Sequence, residues 1–246
     1  LKPIEKSGRL ETARRLRAAM SRVFRYAIPL MMVETDPCEP LRGALKAVKV
    51  VNQAAITSEK EFGALMAVVD DYDGWPTIVG AIQFTALTAC RPGEVRGATW
   101  SEIDMEAACW TVPAARTKMR REHKVPLSRQ ALAVLRRMKA VTGGEWPLVF
   151  PSVRSNKKML SENAMNAALR RMGFTKTEHT SHGFRSSFST IMNARQHDPE
   201  IIEHALAHAD GSVRGIYNRT TFWPARVDLM QAWADLIDEL KNPGAR

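Results

Sequence analysis

The sequence predicts a mainly α-helical protein with a small antiparallel β-sheet. Hydrophobic residues recur at helical spacing along most of the chain, and two short β-like runs flank a strongly basic segment. The chain has 246 residues, of which 45% are hydrophobic, and this is enough for a sizeable core. The stretch from residue 33 to 56 contains Pro37, Pro40 and Gly43 and looks irregular. We place a boundary near its end, between a first unit, residues 1–53, and a second, residues 54–246.

The first unit contains a predicted helix, over residues 9–28, that is both amphipathic and basic. Its apolar stripe is formed by Leu10, Leu16, Met20, Val23, Phe24 and Ala27, while Arg9, Arg14, Arg15, Arg22 and Arg25 lie largely off that stripe. The basic face is either simply solvated or laid along phosphates, and the pattern favours neither interpretation.

The second unit begins with two predicted helices. Ser58 and Glu61 form a capping box in front of the first helix. The second runs from about Trp75 to Ala89 and is apolar enough to be largely buried. Pro92 then suits the first turn of another short helix.

A hairpin and a series of helices are predicted to follow. Strands at 109–112 and 123–127 flank the basic segment Arg116–Arg121, which indicates a hairpin with a basic tip. Asp198 before Pro199 suits a helix start. The predicted helices are 128–140, 161–172, 183–195, 199–208 and 224–241.

The charge balance points towards a polyanionic partner. Lys and Arg number 36 against 26 Asp and Glu, giving a net charge of +10. Such an excess most often serves nucleic acid binding, because neutralised phosphates release counterions. A basic protein without such a partner remains the alternative.

Cysteine usage and hydropathy indicate a protein of the reducing cytosol. Cys38, Cys90 and Cys109 have unrelated spacings and form no CxxC motif. An apolar run precedes Cys90, so this thiol is interpreted as a buried structural group rather than an activated thiolate. The most apolar stretch is too short and too polar to span a bilayer, and no membrane partner is expected.

Two pairs of side chains could carry chemistry. His182 and Arg185, three residues apart near a helix start, share one face and can both reach one phosphate. His204 and His208 have the spacing of half a zinc site, but the Glu of HExxH is absent. A metal site is therefore not expected, and His204 is interpreted as an ordinary helix histidine.

Five motifs in the same order resemble those of the phage integrase family of tyrosine recombinases. They are Leu87–Val95 with Arg91 and the Trp100–Asp104 segment behind it, the hairpin Lys118–Ser128, His182–Arg185, Leu206–His208, and Gly215–Arg219 with Tyr217. The similarity runs from about residue 57 to 240 and is greatest to prophage integrases related to those of satellite phages. Residues 1–53 resemble the C-terminal part of the helical core-binding domain of that family.

The resemblance implies the tyrosine recombinase (DNA breaking-rejoining) catalytic fold and a 3′-phosphotyrosyl intermediate. Tyr217 is the implied nucleophile, since Tyr26 and Tyr72 lie in helical segments away from the motifs. The implied roles are charge stabilisation at phosphorus by Arg91 and Arg185, protonation of the leaving 5′ oxygen by Lys118, handling of the tyrosine proton by His182, and a hydrogen bond to the phosphate from His208. One ester replaces another, so no metal or other cofactor is expected. The alternatives are a helix-terminal salt bridge for Arg91 and simple phosphate binding for Lys118.

The resemblance also implies partners and a location. Double-stranded DNA attachment sites would be bound, and Arg14, Arg22, Arg25, Arg116, Arg120 and Arg121 are the expected DNA-binding residues. Four protomers would assemble on DNA in the bacterial cytoplasm, at the nucleoid. A monomeric free protein and accessory DNA-bending or excision factors stay open. Competing hypotheses are a type IB topoisomerase-like enzyme, an inactive DNA-binding module and a metal-dependent hydrolase.

Overall fold

The computed structural model describes residues 1–47, 53–142, 146–208 and 222–242. The chain divides into two compact units, Leu1–Asn52 and Gln53–Arg246. The predicted nucleophile Tyr217 lies outside the described residues. The predicted mainly α-helical architecture with small antiparallel sheets is confirmed. Within the described ranges, no helix is long and apolar enough to cross a bilayer.

The first unit is built around one long helix. Helix α1 covers Lys2–Lys6 and α2 covers Leu10–Ala27, and a 3₁₀ turn occupies Pro40–Arg42. The buried positions of α2 are Ala13 and Ser21, and the Ser21 hydroxyl donates a hydrogen bond to Asp36. Half of the apolar stripe defined by the sequence is exposed, with 67% of Val23 accessible, and the rest of it is only partly buried. Small residues therefore form the packing face of α2 in this unit.

The helices of the second unit begin close to their predicted positions. They are α3 (Glu59–Asp71), α4 (Pro76–Thr88), α5 (Pro92–Arg96), α6 (Arg129–Thr142), α7 (Ala164–Arg171), α8 (Gly183–Ala194), α9 (Pro199–Ala205) and α10 (Trp223–Lys241). Asp198 caps α9 as predicted, since its Oδ1 accepts from the Glu200 amide at 2.8 Å.

The predicted capping box at Ser58 is wrong. Ser58 does precede α3, but its side chain makes no capping hydrogen bond. The first turn is instead anchored by Glu59, whose carboxylate accepts from Arg195 Nε at 2.7 Å and from a terminal nitrogen of the same guanidinium at 2.9 Å. A bidentate ion pair with the end of α8 thus takes the place of the local cap.

The predicted hairpin is confirmed, and a second one was not predicted. Strands β1 (Ile103–Asp104), β2 (Cys109–Val112) and β3 (His123–Pro126) form an antiparallel sheet in that order, with Trp110 opposite Val125. Strands β4 (Pro151–Ser152) and β5 (Ser155–Met159) form a separate pair. Their sequence is polar and lacks alternation, which explains why the pattern did not indicate them.

The core of the second unit is organised around Trp233 of α10. Its ring lies 5.2 Å from that of Phe62 and 5.4 Å from that of Phe188, and its Nε1 donates to Ala86 O at 2.8 Å. These contacts tie α10 to α3, α8 and α4. Helix α4 is buried continuously from Gly80 to Thr88, as predicted. Helix α8, which carries Arg185, is therefore held in place by this aromatic cluster.

The segment 54–56 is fastened directly to the start of α8. Ala54 O accepts from the Thr180 amide at 3.1 Å, and the Ile56 amide donates to Nδ1 of buried His179 at 3.1 Å. Ser187 Oγ donates to Ile56 O. Contacts from both ends of this short segment thereby fix the first turn of α8, which holds the predicted His182–Arg185 motif.

Candidate active site

Arg185 lies almost fully buried at the junction of two helix ends, with 4% of its surface exposed. One terminal nitrogen donates to Ala89 O at 2.7 Å, and the other donates to Leu206 O at 2.7 Å and lies 3.0 Å from His208 Nε2. Burial, followed by repulsion from Arg91, lowers the pKa of Arg185 to about 10. The guanidinium therefore remains positively charged at neutral pH.

Arg91 is the N-cap residue of α5 and is held by Glu94. Its amide donates to Glu94 Oε2 at 3.0 Å, and a terminal guanidinium nitrogen donates to Glu94 Oε1 at 3.1 Å. The other terminal nitrogen reaches Ala207 O at 3.5 Å. The helix-terminal salt bridge considered as an alternative is thus present, and it leaves the guanidinium directed at the segment that also receives Arg185.

That segment is the end of α9, which stops at Ala205 rather than at the predicted residue 208. Leu206 is the C-cap residue, and Ala207 has a φ of 49°, in the left-handed region. The chain therefore turns, and the carbonyl groups of Leu206 and Ala207 face the two arginines. A helix C-terminus carries partial negative charge, so guanidinium groups are favourable partners for it.

His208 emerges from this turn with both ring nitrogens engaged. Its Nδ1 lies 2.7 Å from Glu203 Oε2, and its Nε2 lies 3.0 Å from Arg185. A carboxylate accepts and a guanidinium donates, so these partners assign the proton to Nδ1 and the lone pair to Nε2.

His182 occupies the N-cap position of α8 with an exposed side chain. Desolvation lowers its pKa, and repulsion from the Arg185, Arg91 and Lys118 charges lowers it further. The charges that lower the pKa of His182 therefore belong to other predicted catalytic residues. A neutral imidazole at this place can accept a proton.

The tip of the β2–β3 hairpin presents Lys118, Arg120 and Arg121 to solvent. Arg116 differs from these three, because its guanidinium pairs with Glu102 and donates to Glu94 O at 3.1 Å. It braces the base of the hairpin, which the sequence analysis did not anticipate. Contact of Arg116 with DNA would require it to loosen this pair.

The site can bind and polarise an anion. The Arg91 and Arg185 guanidiniums are fixed by hydrogen bonds at the end of α9, and His208 lies beside them. Fixed cationic donors stabilise charge that develops on a phosphate without having to reorganise during the reaction. Losing one such donor costs about 3–4 kcal/mol of barrier by analogy with oxyanion holes.

Several residues that support these groups were not predicted from the sequence. Glu94 orients Arg91. The sequence does contain a signal for this contact, because the two residues have the three-residue spacing of an N-cap and its N3 partner at a helix start. Arg226 at the start of α10 is 5% exposed, donates to Lys124 O and lies 3.3 Å from His123 Nε2. It links α10 to the lysine-bearing hairpin. The spacing between Arg226 and His123 gives no sequence signal, since they are far apart in the chain.

One buried cluster has the residue types of a metal site. The potential ligand atoms of Cys90, Glu94 and His123 lie within 4.8 Å of one another. Glu94 is already paired with Arg91, and Arg226 contacts His123. Burial, with the Glu94 charge adding, raises the pKa of Cys90 to about 12, so the thiol stays protonated. Cations on two sides disfavour a metal ion here, and the structural interpretation of Cys90 fits its burial.

The other candidates lie outside this centre. His204 packs edge-on against Phe222 with ring centres 4.9 Å apart, which fits an ordinary helix histidine. Tyr72 ends α3 and packs against the core, while Tyr26 is a 72% exposed residue of the first unit. Arg14, Arg22 and Arg25 are exposed on α2.

Solved structures share this fold. A lambda integrase dimer bound to a COC′ core site matches with a TM-score of 0.64 at 19% identity, over 89% of this chain and 62% of that one. The Tn1549 transposon integrase in complex with circular intermediate DNA matches with a TM-score of 0.60 at 16% identity, over 89% and 78%. The fold is that of tyrosine recombinase catalytic domains.

The sequence relatives are integrases. The profile described as the phage integrase family matches residues 56–222, and the phage integrase central domain matches residues 1–44. The chain belongs to the phage integrase family. Prophage integrase IntA of Escherichia coli K12 is 37% identical over 96% of this chain and 57% of its own length. The integrase of Enterobacteria phage P4 is 33% identical over 98% and 58%. The chain thus spans a little over half the length of these relatives.

Proposed function

We propose that this chain is the DNA-cleaving part of a site-specific recombinase that integrates or excises a prophage or genomic island. The observation that carries the proposal is the convergence of Arg91, Arg185 and His208 at the end of α9. These two guanidiniums and this imidazole come from separate parts of the chain, and their donors lie together at one helix end. Guanidinium groups are the side chains best suited to bind the oxygens of a phosphate diester.

Each side chain takes one step of a transesterification. The Tyr217 phenol attacks phosphorus and forms a 3′-phosphotyrosyl ester, while the 5′ oxygen leaves as a hydroxyl. Arg91 and Arg185 stabilise the charge that builds on the non-bridging oxygens. His182 handles the phenol proton and Lys118 protonates the leaving oxygen. His208 hydrogen-bonds the phosphate. Because one ester is exchanged for another, the reaction needs no ATP.

The partner is double-stranded DNA carrying an attachment site, bound by four protomers during strand exchange. Support comes from solved relatives, among them a lambda integrase tetramer bound to a Holliday junction. Residues 1–53 act as the C-terminal part of a core-binding domain and residues 54–246 as the catalytic domain. The exposed arginines of α2 and of the hairpin tip contact the DNA backbone. The protein works in the bacterial cytoplasm, at the nucleoid.

The test is a suicide substrate, a duplex spanning the junction of the mobile element with a nick near the cleavage point. We expect a covalent protein–DNA adduct that forms in the presence of chelator. Tyr217→Phe should abolish the adduct, whereas the control Tyr72→Phe should retain it. Tyr72 lies in the core-packed end of α3, so its hydroxyl serves no step.

The competing functions give different results in the same assay. Adduct formation that persists in Tyr217→Phe moves the nucleophile to another residue. Cleavage that requires added metal and leaves no adduct identifies a hydrolase. Binding without cleavage identifies an inactive DNA-binding module. Relaxation of any supercoiled plasmid, without preference for the junction sequence, identifies a topoisomerase-like enzyme.

A further inference from the structure

The pairing of His208 with Glu203 lies beyond the six residues assigned to the reaction. Glu203 is on the last turns of α9, five residues before His208, and its Oε2 lies 2.7 Å from His208 Nδ1. Both side chains are about half exposed, at 52% and 45%. The contact therefore orients a reactive group at the surface of the site instead of filling the core.

The geometry makes the position of the ring proton of His208 depend on Glu203. An isolated neutral imidazole of histidine prefers its proton on Nε2, which would place two N–H donors, from His208 and Arg185, against each other at 3.0 Å. A carboxylate on the opposite nitrogen reverses the preference and turns the Nε2 lone pair to Arg185. The Glu203 charge also acts on Arg185 itself, where it raises the pKa against the effect of burial.

Arg185 has a particular need for such support. Its hydrogen-bond partners are the carbonyls of Ala89 and Leu206 and the His208 ring, whereas Arg91 has the Glu94 carboxylate directly. Glu203, acting through His208, gives the second guanidinium the carboxylate support that the first receives by contact. The two arginines thus have parallel arrangements, one direct and one through an imidazole.

We propose that Glu203 is a positioning residue that fixes His208 in the Nδ1–H tautomer, with Nε2 turned to Arg185 and the anion-binding centre. A bound phosphate then meets a ring whose orientation is already set. When a bound phosphate draws the Arg185 donor away from Nε2, a proton taken up there makes Nε2 a donor to the phosphate, and the adjacent carboxylate balances the new charge. The catalytic part of this inference rests on the proposed recombinase function, but the tautomer does not.

The tautomer is read from the ring-nitrogen shifts of His208 in protein labelled with ¹⁵N-histidine, at alkaline pH and without DNA. We expect Nδ1–H in the unaltered chain and in Glu203→Gln, whose amide oxygen still accepts. Glu203→Ala should shift the ring towards Nε2–H. The matched control Glu106→Gln removes one charge from the exposed β1–β2 turn and should change nothing. An unaltered tautomer in Glu203→Ala overturns the proposal.

The consequence for catalysis is measured as the rate of adduct formation at saturating suicide substrate. Glu203→Ala should slow this step by on the order of 10²-fold, with DNA affinity changed by no more than about twofold. Glu203→Gln should recover much of the rate, which a purely structural loss would not allow. A Glu203→Ala rate equal to that of the unaltered chain overturns the positioning role. If the unaltered chain forms no adduct while the tautomer still depends on Glu203, the recombinase function fails and the pairing stands.

Discussion

Two histidines of the second unit are kept neutral by their burial. His179 is fully buried, and its Nδ1 accepts the Ile56 amide, so a proton there would remove an acceptor. Burial lowers the pKa of His179 to about 4, and burial with repulsion from Arg226 lowers that of His123 to about 3. Both values lie below the ordinary value of 6.5, which the unfolded chain regains.

The first prediction follows from that difference. Between pH 6.5 and 4 the unfolded chain binds protons that the folded chain does not, so stability is complete above pH 6.5 and falls as the pH drops. We expect each histidine to cost about 2 kcal/mol of unfolding free energy between about pH 7 and 5. Urea unfolding followed by circular dichroism at the two values measures it.

The matching variant is His179→Gln, whose amide oxygen can accept the Ile56 amide without titrating. It should remove about 2 kcal/mol of the loss in unfolding free energy, whereas the contribution of His123 remains. An unfolding free energy that is constant over this pH range, or a loss of the same size in the variant, would contradict the assignment. The stability at neutral pH serves as the internal reference.

Residues of the site differ in how far sequence could predict them. Arg185 and His182 share a helix face, so spacing alone brought them together. Glu203 was not identified, because a separation of five residues lies on neither side-chain row of a helix. It reaches His208 only since α9 stops early, at Ala205, and the chain turns through the left-handed Ala207. That turn is closed by two local hydrogen bonds, from the Ala207 amide to His204 O and from the His208 amide to Glu203 O. Alanine occupies the left-handed position where glycine is usual, so no sequence signal indicated the turn.

At the scale of elements, the site depends on close packing between segment 54–56 and α8. Gly183 is the first residue of α8, and a Cβ added there would lie 2.4 Å from Ala54 O. The obstacle is a backbone atom and cannot rotate away. Glycine is therefore required for close packing at this position, although its conformation is helical.

The second prediction compares two helical glycines. Gly183→Ala should lower the unfolding free energy by about 1–3 kcal/mol, because segment 54–56 must move away from α8. It should also speed hydrogen exchange of the Ile56 and Thr180 amides, which donate across this contact. Gly93→Ala in the first turn of α5 is the control, since an added Cβ there meets nothing within 4 Å. Equal effects of the two substitutions would refute the packing argument.

Elements with strong local signals were predicted well, and those held by long-range contacts were not. The β2–β3 hairpin has alternating strands around a basic tip, and its register follows from that pattern. Arg116 was grouped with the tip arginines, yet it pairs with Glu102. Both Arg116 and Arg120 are basic residues of one short loop, so charge alone could not separate a bracing arginine from an exposed one.

At the scale of the whole molecule, positive charge is unevenly shared. Leu1–Asn52 holds 11 Lys and Arg against 5 Asp and Glu, a net charge of +6 out of +10, in about a fifth of the chain. The catalytic candidates all belong to the second unit, Gln53–Arg246. The fold could be predicted because each helix and each motif is a short segment with its own local pattern, and the order of the motifs along the chain is read directly from the sequence. The geometry around Tyr217 is beyond the described residues, so its approach to the arginines stays a prediction.

The third prediction separates the contributions of the two units to DNA binding. The exposed arginines of α2 proposed to contact phosphates are Arg14, Arg22 and Arg25. If each neutralises one phosphate, replacing all three by alanine should reduce the salt dependence of the logarithm of affinity by about 3 in slope. The rate of adduct formation at saturating DNA should be unchanged, because none of the three belongs to the unit that carries Arg91 and Arg185.

The control is a triple alanine variant of the same net charge in the second unit, at exposed arginines outside the expected DNA-binding set: Arg136, Arg154 and Arg171. Specific contacts predict a smaller slope for the α2 variant alone. A general effect of net charge predicts equal changes in both variants, since long-range attraction depends on total charge and is screened over about 10 Å at moderate salt. Equal slopes would therefore contradict phosphate contacts made specifically by the α2 arginines.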